Sequence, residues 1–169
     1  SRLAHAESVT NDLINMYNSY DKSALDEMFA NDVLFSTTLI GNVHPLKKPG
    51  EPYVPLKFEG IEGVRTIVQK WYASLPDFVK VVNSILVYDE GISIKASYKF
   101  SGHKVYGVTF PANGEGVCES VSVDTVADPY SRRVYVEGFI YLTLNEQGKI
   151  QKHHMDFWEG KKKVKASKS

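Results

Sequence analysis

The chain has 169 residues, of which 43% are hydrophobic and 24% charged, and its twenty acidic and twenty basic residues give no net charge. This length and composition are typical of one globular domain with a sizeable core. The even charge balance argues against a nucleic-acid binder, the single cysteine excludes an intramolecular disulfide, and no apolar run reaches the roughly 20 residues that span a bilayer.

Residues 1–160 are expected to form a single domain. The basic residues cluster in 161–165, after the last periodic segment, so residues 161–169 are predicted to be a solvated, disordered tail. The N-terminus lacks the basic-then-apolar pattern of a signal peptide, and the expected location is therefore the cytoplasm, without contact to a membrane.

Helical patterns lie in the first half of the chain. Apolar residues at three- and four-residue steps predict an amphipathic helix over 3–20. Asp21 is a candidate N-cap for a short second helix that ends near Phe29. A third helix is predicted over 61–75, because its apolar stripe ends at Pro76.

Strand patterns dominate the rest. Val79, Val81, Ile85 and Val87 alternate with mostly polar neighbours, which predicts a strand with these four residues on one face. Alternation or turn residues predict further strands over 32–38, 53–58, 92–100, 117–126, 133–144 and 149–158. Helices followed by hairpin-linked strands predict an α+β fold with an antiparallel sheet.

Three segments resemble a known superfamily. Residues 25–35 are similar to "al..lfAdDv.f", residues 60–64 to "G.egir", and 129–134 with 148–150 to "PtGr.v…dGkI". These are segments of the nuclear transport factor 2-like superfamily, in its SnoaL-like polyketide cyclase and ketosteroid isomerase branch. The resemblance implies a cone-shaped α+β fold, in which three N-terminal helices pack on a strongly bent antiparallel sheet and leave a pocket at the wide end.

The resemblance does not extend to the residues of a ketosteroid isomerase. The position of the general base in those enzymes falls near Thr37, whose hydroxyl is not a base near neutral pH. The position of their oxyanion-binding acid is Ile140, and only their tyrosine could be supplied, by Tyr17. Two of three roles are vacant, so the chain is not expected to be a ketosteroid isomerase.

The polar residues of the last strand offer another candidate site. If Glu146 and Gln147 form a two-residue turn, Ile140 pairs with His153, which then faces the pocket. A one-residue bulge beyond His154 turns Asp156 inward as well, where the carboxylate orients the imidazole for acid–base chemistry.

The predicted site contains more than this pair. Tyr17, and also His103 at a strand end where cyclase-like members carry a pocket histidine, complete its polar part. The predicted apolar lining consists of Trp71, Phe100, Ile140, Met155 and Phe157. In the competing interpretation, one of the adjacent histidines faces solvent or a partner and the other is an ordinary sheet residue.

No cofactor or metal is expected. Adjacent residues such as His153 and His154 face opposite ways on a strand and do not ligate one ion together, and no glycine-rich phosphate loop opens a helix. The leading prediction is an acid–base enzyme (cyclase, isomerase or dehydratase/hydratase) acting on a small apolar or aromatic molecule. The alternative is a non-catalytic ligand-binding or scaffold domain. A homodimer through the sheet is predicted, because Tyr135, Phe139 and Tyr141 share its outer face.

Overall fold

Three α-helices and eight strands are formed by the residues that the computed structural model describes, which are 1–19, 23–40, 56–74, 79–103, 108–109, 122–123 and 133–159. The helices are α1 (Arg2–Ser19), α2 (Leu25–Met28) and α3 (Gly60–Ser74). The strands are β1 (Phe29–Ile40), β2 (Leu56–Glu59), β3 (Val79–Tyr88), β4 (Ser93–His103), β5 (Val108–Thr109), β6 (Ser122–Val123), β7 (Arg133–Leu144) and β8 (Ile150–Glu159). The predicted α+β class is therefore the observed one.

Six strands form one sheet in the order β2-β1-β8-β7-β4-β3. Four neighbouring pairs are antiparallel, but β1 and β8 run parallel, so the prediction of a purely antiparallel sheet is wrong at this pair. These two strands come from opposite ends of the domain, and no hairpin fixes their relative direction. Their pairing places the first strand beside the last, in the middle of the sheet.

The helices cover one face of this sheet. Helix α1 packs against β3, helix α3 packs against β1, and their apolar faces join a single hydrophobic cluster with the sheet. The predicted second helix is reduced to the four residues of α2, whose N-cap is Ala24 without a side-chain hydrogen bond. The predicted cap, Asp21, lies outside the described residues. Among the described helices, none is long and apolar enough to cross a membrane.

Strand β3 changes face along its length. Val79 and Val81 are 47% and 54% exposed, whereas Lys80 between them is only 4% exposed. The register between β3 and β4 shifts between Val82 and Ser84. This bulge reverses the alternation, so the prediction that Val79, Val81, Ile85 and Val87 lie on one face is wrong. Lys80 points into the core instead.

Two predictions about the segment before β7 are only partly within the described residues. Val108–Thr109, between the predicted strands 92–100 and 117–126, is a two-residue strand that pairs with Ser122–Val123. The latter lies within the predicted strand 117–126, whose other residues are outside the described part of the chain.

Candidate functional site

A buried hydrogen bond joins α1 to β8. The hydroxyl of Tyr17 and Nε2 of His153 lie 3.0 Å apart, and neither side chain is exposed to solvent. The imidazole stacks on the ring of Phe35, with ring centroids 4.4 Å apart and an angle of 16° between the planes. His153 is opposite Phe35 in β1, and this pairing fixes the stacking partner through the backbone. The imidazole is therefore rigidly placed in the core.

The burial of His153 determines its charge. Loss of solvent, followed by the nearby charge of Lys80, holds the pKa of His153 well below its usual 6.5. The ring is therefore neutral at physiological pH, with one nitrogen as donor and the other as acceptor. Nε2 contacts Tyr17, and the buried Nδ1 has no hydrogen-bond partner among the described residues. One ring nitrogen thus retains hydrogen-bonding capacity.

Lys80 of β3 brings an amine to the same cluster. Its Nζ lies 4.3 Å from the centroid of the Tyr17 ring and 4.2 Å from that of Tyr98. The same nitrogen is 3.5 Å from Sδ of Met155. Burial lowers the pKa of Lys80 from 10.5 to about 7, even though two aromatic faces attract its charged form. Both protonation states are therefore well populated at neutral pH.

Asn18 holds the backbone of Lys80 in place. Strand β3 is an edge strand, and the side chain of Asn18 makes the two hydrogen bonds that a neighbouring strand would otherwise make. Its Nδ2 donates to the carbonyl of Lys80, and its Oδ1 accepts from the amide of Lys80, both at 2.7 Å. Asn18 directly follows Tyr17, so α1 positions the phenol and the amine together.

Tyr98 of β4 forms the second wall beside Lys80. Burial, and then the charge of Asp156, raises the pKa of Tyr98, so its phenol stays protonated. The residue opposite it in β7 is Gly138. A Cβ at this position would lie 2.7 Å from the Tyr98 hydroxyl oxygen, so the missing side chain of Gly138 makes room for the phenol.

The predicted pair of His153 and Asp156 is not formed. The carboxylate of Asp156 instead accepts a hydrogen bond of 2.7 Å from Nε2 of His154. Nδ1 of His154 shares a hydrogen bond of 2.6 Å with the hydroxyl of Ser36. These three residues lie on the outer face of the sheet, away from the helices, and His153 lies on the inner face.

The position of a bulge explains this difference. The register between β7 and β8 shifts between Ile150 and Lys152, before His153, and stays regular beyond His154 where the bulge was predicted. His153 also pairs with Leu142, and not with Ile140 as predicted. The turn is longer than two residues, since Oδ1 of Asn145 accepts from the amides of Gln147 and Lys149. The observed partner of His153 lies two residues from the predicted one. Because side chains alternate between the faces of a strand, this shift leaves His153 on the predicted inner face.

The remaining predicted residues divide into two groups. Ile140 and Met155 are buried and opposite each other on the inner face. Phe100 is opposite Lys80 and stacks near Tyr98, with ring centroids 6.5 Å apart. The side chains of Trp71, His103 and Phe157 lie outside the described part of the structure. The structure therefore brings Tyr17, His153, Met155 and Phe100 around Lys80, which the sequence analysis had missed.

Two cavities that are lined by described residues lie away from this cluster. They have volumes of about 550 Å³ and 470 Å³ and adjoin His5 on α1 and residues 147–148 of the turn between β7 and β8. Neither is lined by Lys80 or His153. Among the described residues, no three His, Cys, Asp or Glu side chains are grouped so as to hold a metal ion.

Solved structures, but not sequences, resemble this chain. No protein-family model and no curated protein matches the sequence. Bal32a, from a soil-derived mobile gene cassette, has 14% identity and a TM-score of 0.63, with 93% of this chain and 92% of that one covered. SalBIII, an epoxide hydrolase/cyclase-like enzyme in pyran ring formation in salinomycin, has 14% identity and a TM-score of 0.59, with 90% and 89% covered.

A third similar structure is IdmH from Streptomyces antibioticus, assigned as a polyketide cyclase. It has 19% identity and a TM-score of 0.57, with 90% of this chain and 91% of that one covered. The chain has the SnoaL-like, nuclear transport factor 2-like fold. At these identities the similarity establishes the fold alone, and the function must be argued from the residues of this chain.

Proposed function

We propose that the protein is a cofactor-independent acid–base enzyme acting on a small, largely apolar or aromatic molecule, by cyclisation, isomerisation, dehydration or hydration. One observation carries this proposal: Lys80, with a pKa of about 7, lies beside the hydrogen-bonded pair of Tyr17 and His153 in an apolar core. Burying an amine in an apolar core is unfavourable for stability, so the position of Lys80 favours a role in chemistry.

The three side chains offer complementary proton chemistry. A general acid or base works best when its pKa is near the operating pH, and Lys80 meets this condition. Tyr17 is both a hydroxyl donor and acceptor, and the neutral His153 behind it completes a path for a proton. In this proposal Lys80 exchanges the proton with the substrate, and Tyr17 with His153 stabilises the oxygen that gains charge.

The substrate class follows from the surroundings of the amine. We infer that the sheet bends into the cone typical of this fold and encloses a pocket above Lys80, bordered by Phe100, Ile140 and Met155. The predicted contributions of Trp71, His103 and Phe157 remain part of this proposal. Aromatic and aliphatic walls favour a ligand that is itself largely apolar. SalBIII and IdmH, with the same fold, are described as cyclase-type proteins.

A non-catalytic binding domain is the second candidate. Thr37 takes the place of the general base of ketosteroid isomerases, and it is buried on the inner face opposite Met155. A threonine hydroxyl does not abstract a carbon-bound proton at neutral pH. In this alternative, the buried cluster serves only to hold a ligand by its shape.

Proton exchange distinguishes the two candidates. Native mass spectrometry first identifies which small aromatic or cyclic ketones bind, and NMR in D₂O then measures exchange of their α-protons. We expect exchange with the wild-type protein and a roughly 10²- to 10⁴-fold slower rate in Lys80→Met. Lys95→Met is the matched control, because Lys95 also lies over an aromatic ring but on the outer face. Binding without exchange would support the binding domain and contradict the enzyme.

We also propose a homodimer through the outer face of the sheet. Large apolar residues are exposed there on β1 and β3, namely Leu34, Val79, Val81, Leu86 and Tyr88. The predicted residues Tyr135, Phe139 and Tyr141 are partly buried on the same face. Contiguous exposed apolar residues mark interaction surfaces. Sedimentation at micromolar concentration should give twice the chain mass of 19.0 kDa, and a species of 19.0 kDa alone would refute the dimer.

A further inference from the structure

We propose that Lys80 is a covalent nucleophile that forms a Schiff base with the carbonyl carbon of a small aromatic or aliphatic aldehyde or ketone. This inference rests on the proposed function, because it assigns a substrate class to the same cluster. It goes further in one respect, since it requires the substrate to bond to the amine and not merely to exchange protons with it.

The position of the amine supports this role. Nζ lies between the faces of Tyr17 and Tyr98, and Sδ of Met155 contacts it at 3.5 Å. The backbone of Lys80 is fixed by Asn18, so the side chain projects from a rigid base. An amine must be neutral to attack a carbonyl, and burial in apolar surroundings produces this form at neutral pH.

The reaction is balanced by groups in the cluster. The Nζ lone pair forms a bond to the carbonyl carbon, and the oxygen takes a proton that the Tyr17 hydroxyl supplies. The nitrogen of the adduct releases a proton to His153, which passes it back to Tyr17. Tyr17 then donates this proton to the carbinolamine oxygen, which leaves as water while the nitrogen lone pair forms the C=N bond. Release of the second nitrogen proton to Tyr17 restores the phenol. The amine and the carbonyl compound give an imine and water, without any oxidant or reductant.

The two phenol rings also suit the product. A protonated Schiff base is a cation in the place of the lysine ammonium, so the ring faces of Tyr17 and Tyr98 that attract the ammonium attract the iminium as well. An iminium withdraws electrons from the adjacent carbon and makes its proton easier to remove. Bond formation at Lys80 therefore activates a ketone for the isomerisation or cyclisation proposed above.

Reductive trapping tests the proposal directly. The full chain is incubated at pH 7 with limiting benzaldehyde and sodium cyanoborohydride, which reduces an imine to a stable secondary amine, and the modified lysines are located by peptide mass spectrometry. Lys95 is the internal control, since it is partly exposed and its Nζ lies 4.4 Å from the Phe139 ring centroid. We expect Lys80 to be modified at least about 10-fold faster than Lys95, because burial lowers the pKa of Lys80 to about 7 and leaves much of its amine unprotonated at pH 7.

The outcomes separate this inference from the proposed function. The Schiff base is overturned if Lys95 is modified and Lys80 is not, provided that the peptide containing Lys80 is modified after the protein is unfolded in urea. If the wild-type protein still exchanges ketone protons in D₂O, the acid–base function stands without it. Trapping at Lys80 without exchange supports the Schiff base and contradicts the acid–base function. Absence of both trapping and exchange overturns both.

Discussion

His153 and His154 are neighbours in the chain, yet they occupy contrasting environments. His153 is buried on the inner face, stacked on Phe35 and hydrogen-bonded to Tyr17, and its pKa is held well below 6.5. His154 is 36% exposed on the outer face and lies between Ser36 and Asp156. One position along a strand therefore separates an imidazole in an apolar core from one in a polar, solvent-accessible chain of hydrogen bonds.

The comparison shows why a complete hydrogen-bond chain is not enough to identify the site. Ser36, His154 and Asp156 form the better-connected chain, but partial exposure lets water compete with each contact. On the inner face, burial shifts the pKa values of both His153 and Lys80. Low solvent access gives these groups their altered reactivity, so we place the function on the inner face.

Replacing each histidine in turn should give the largest contrast. We expect His153→Ala to reduce turnover by roughly 10²- to 10⁴-fold, as is usual for the loss of a group in the proton path. His154→Ala is the matched control and should leave turnover within about 2-fold of the wild type, because its ring points away from Lys80. Steady-state rates are measured for both variants, and circular dichroism checks that each is folded. An equal loss of turnover in both variants would contradict the assignment of the site to the inner face.

The stability of Lys80→Met should depend strongly on pH. Lys80 has a pKa of about 7 in the folded protein, and its ordinary pKa of 10.5 applies to the unfolded chain. Between these values the unfolded state binds more protons, so this lysine makes the protein more stable as the pH rises, by at most about 1.4 kcal/mol per pH unit. Lys80→Met should therefore stabilise the protein most at pH 7 or below, and progressively less towards pH 10.5.

Urea unfolding of both proteins across this pH range measures the difference. Lys95→Met serves as the control for removing a lysine from the sheet. A stability difference for Lys80→Met that stays constant over the whole range would mean that Lys80 titrates equally in both states.

Removing one hydroxyl from the inner cluster and one from the outer face should give a smaller difference, which is measured as the free energy of unfolding. Tyr17→Phe leaves a buried ring nitrogen of His153 without its partner, and we expect the free energy of unfolding to fall by about 1–3 kcal/mol. Ser36→Ala removes a bond at a partly exposed site, and its effect should be about 0.5 kcal/mol or less. Denaturant midpoints at constant slope give both values, and the reverse order of effects would count against the rigid inner cluster.

Long periodic segments were the predictable part of the fold. The apolar stripes of α1 and α3 and the alternation of β7 predict those elements to within about two residues, because each pattern repeats over several turns or residue pairs. The inward direction of His153 was also predictable, since it depends only on alternate residues sharing a face.

Single-residue bulges account for what the sequence did not reveal. The bulge near Asn83 turns Lys80 inward between two exposed valines, and the absence of a bulge beyond His154 leaves Asp156 on the outer face. A bulge depends on contacts with the neighbouring strand, and its only trace in the sequence of β3 is the broken alternation at Val81 and Val82. The hydrogen bonds of Asn18 to Lys80 join distant segments and have no local pattern at all.

The titration of Lys80 itself tests the central claim most directly. Protein labelled with ¹³C at the lysine ε-carbon gives NMR signals whose shifts follow the charge of each amine, and the Lys80 signal is identified by its loss in Lys80→Met. We predict a midpoint near pH 7 for this signal, because burial between Tyr17 and Tyr98 lowers the pKa of Lys80 to about 7. A midpoint near 10.5 would show an ordinary solvated lysine and contradict the assignment of the inner face as the functional site.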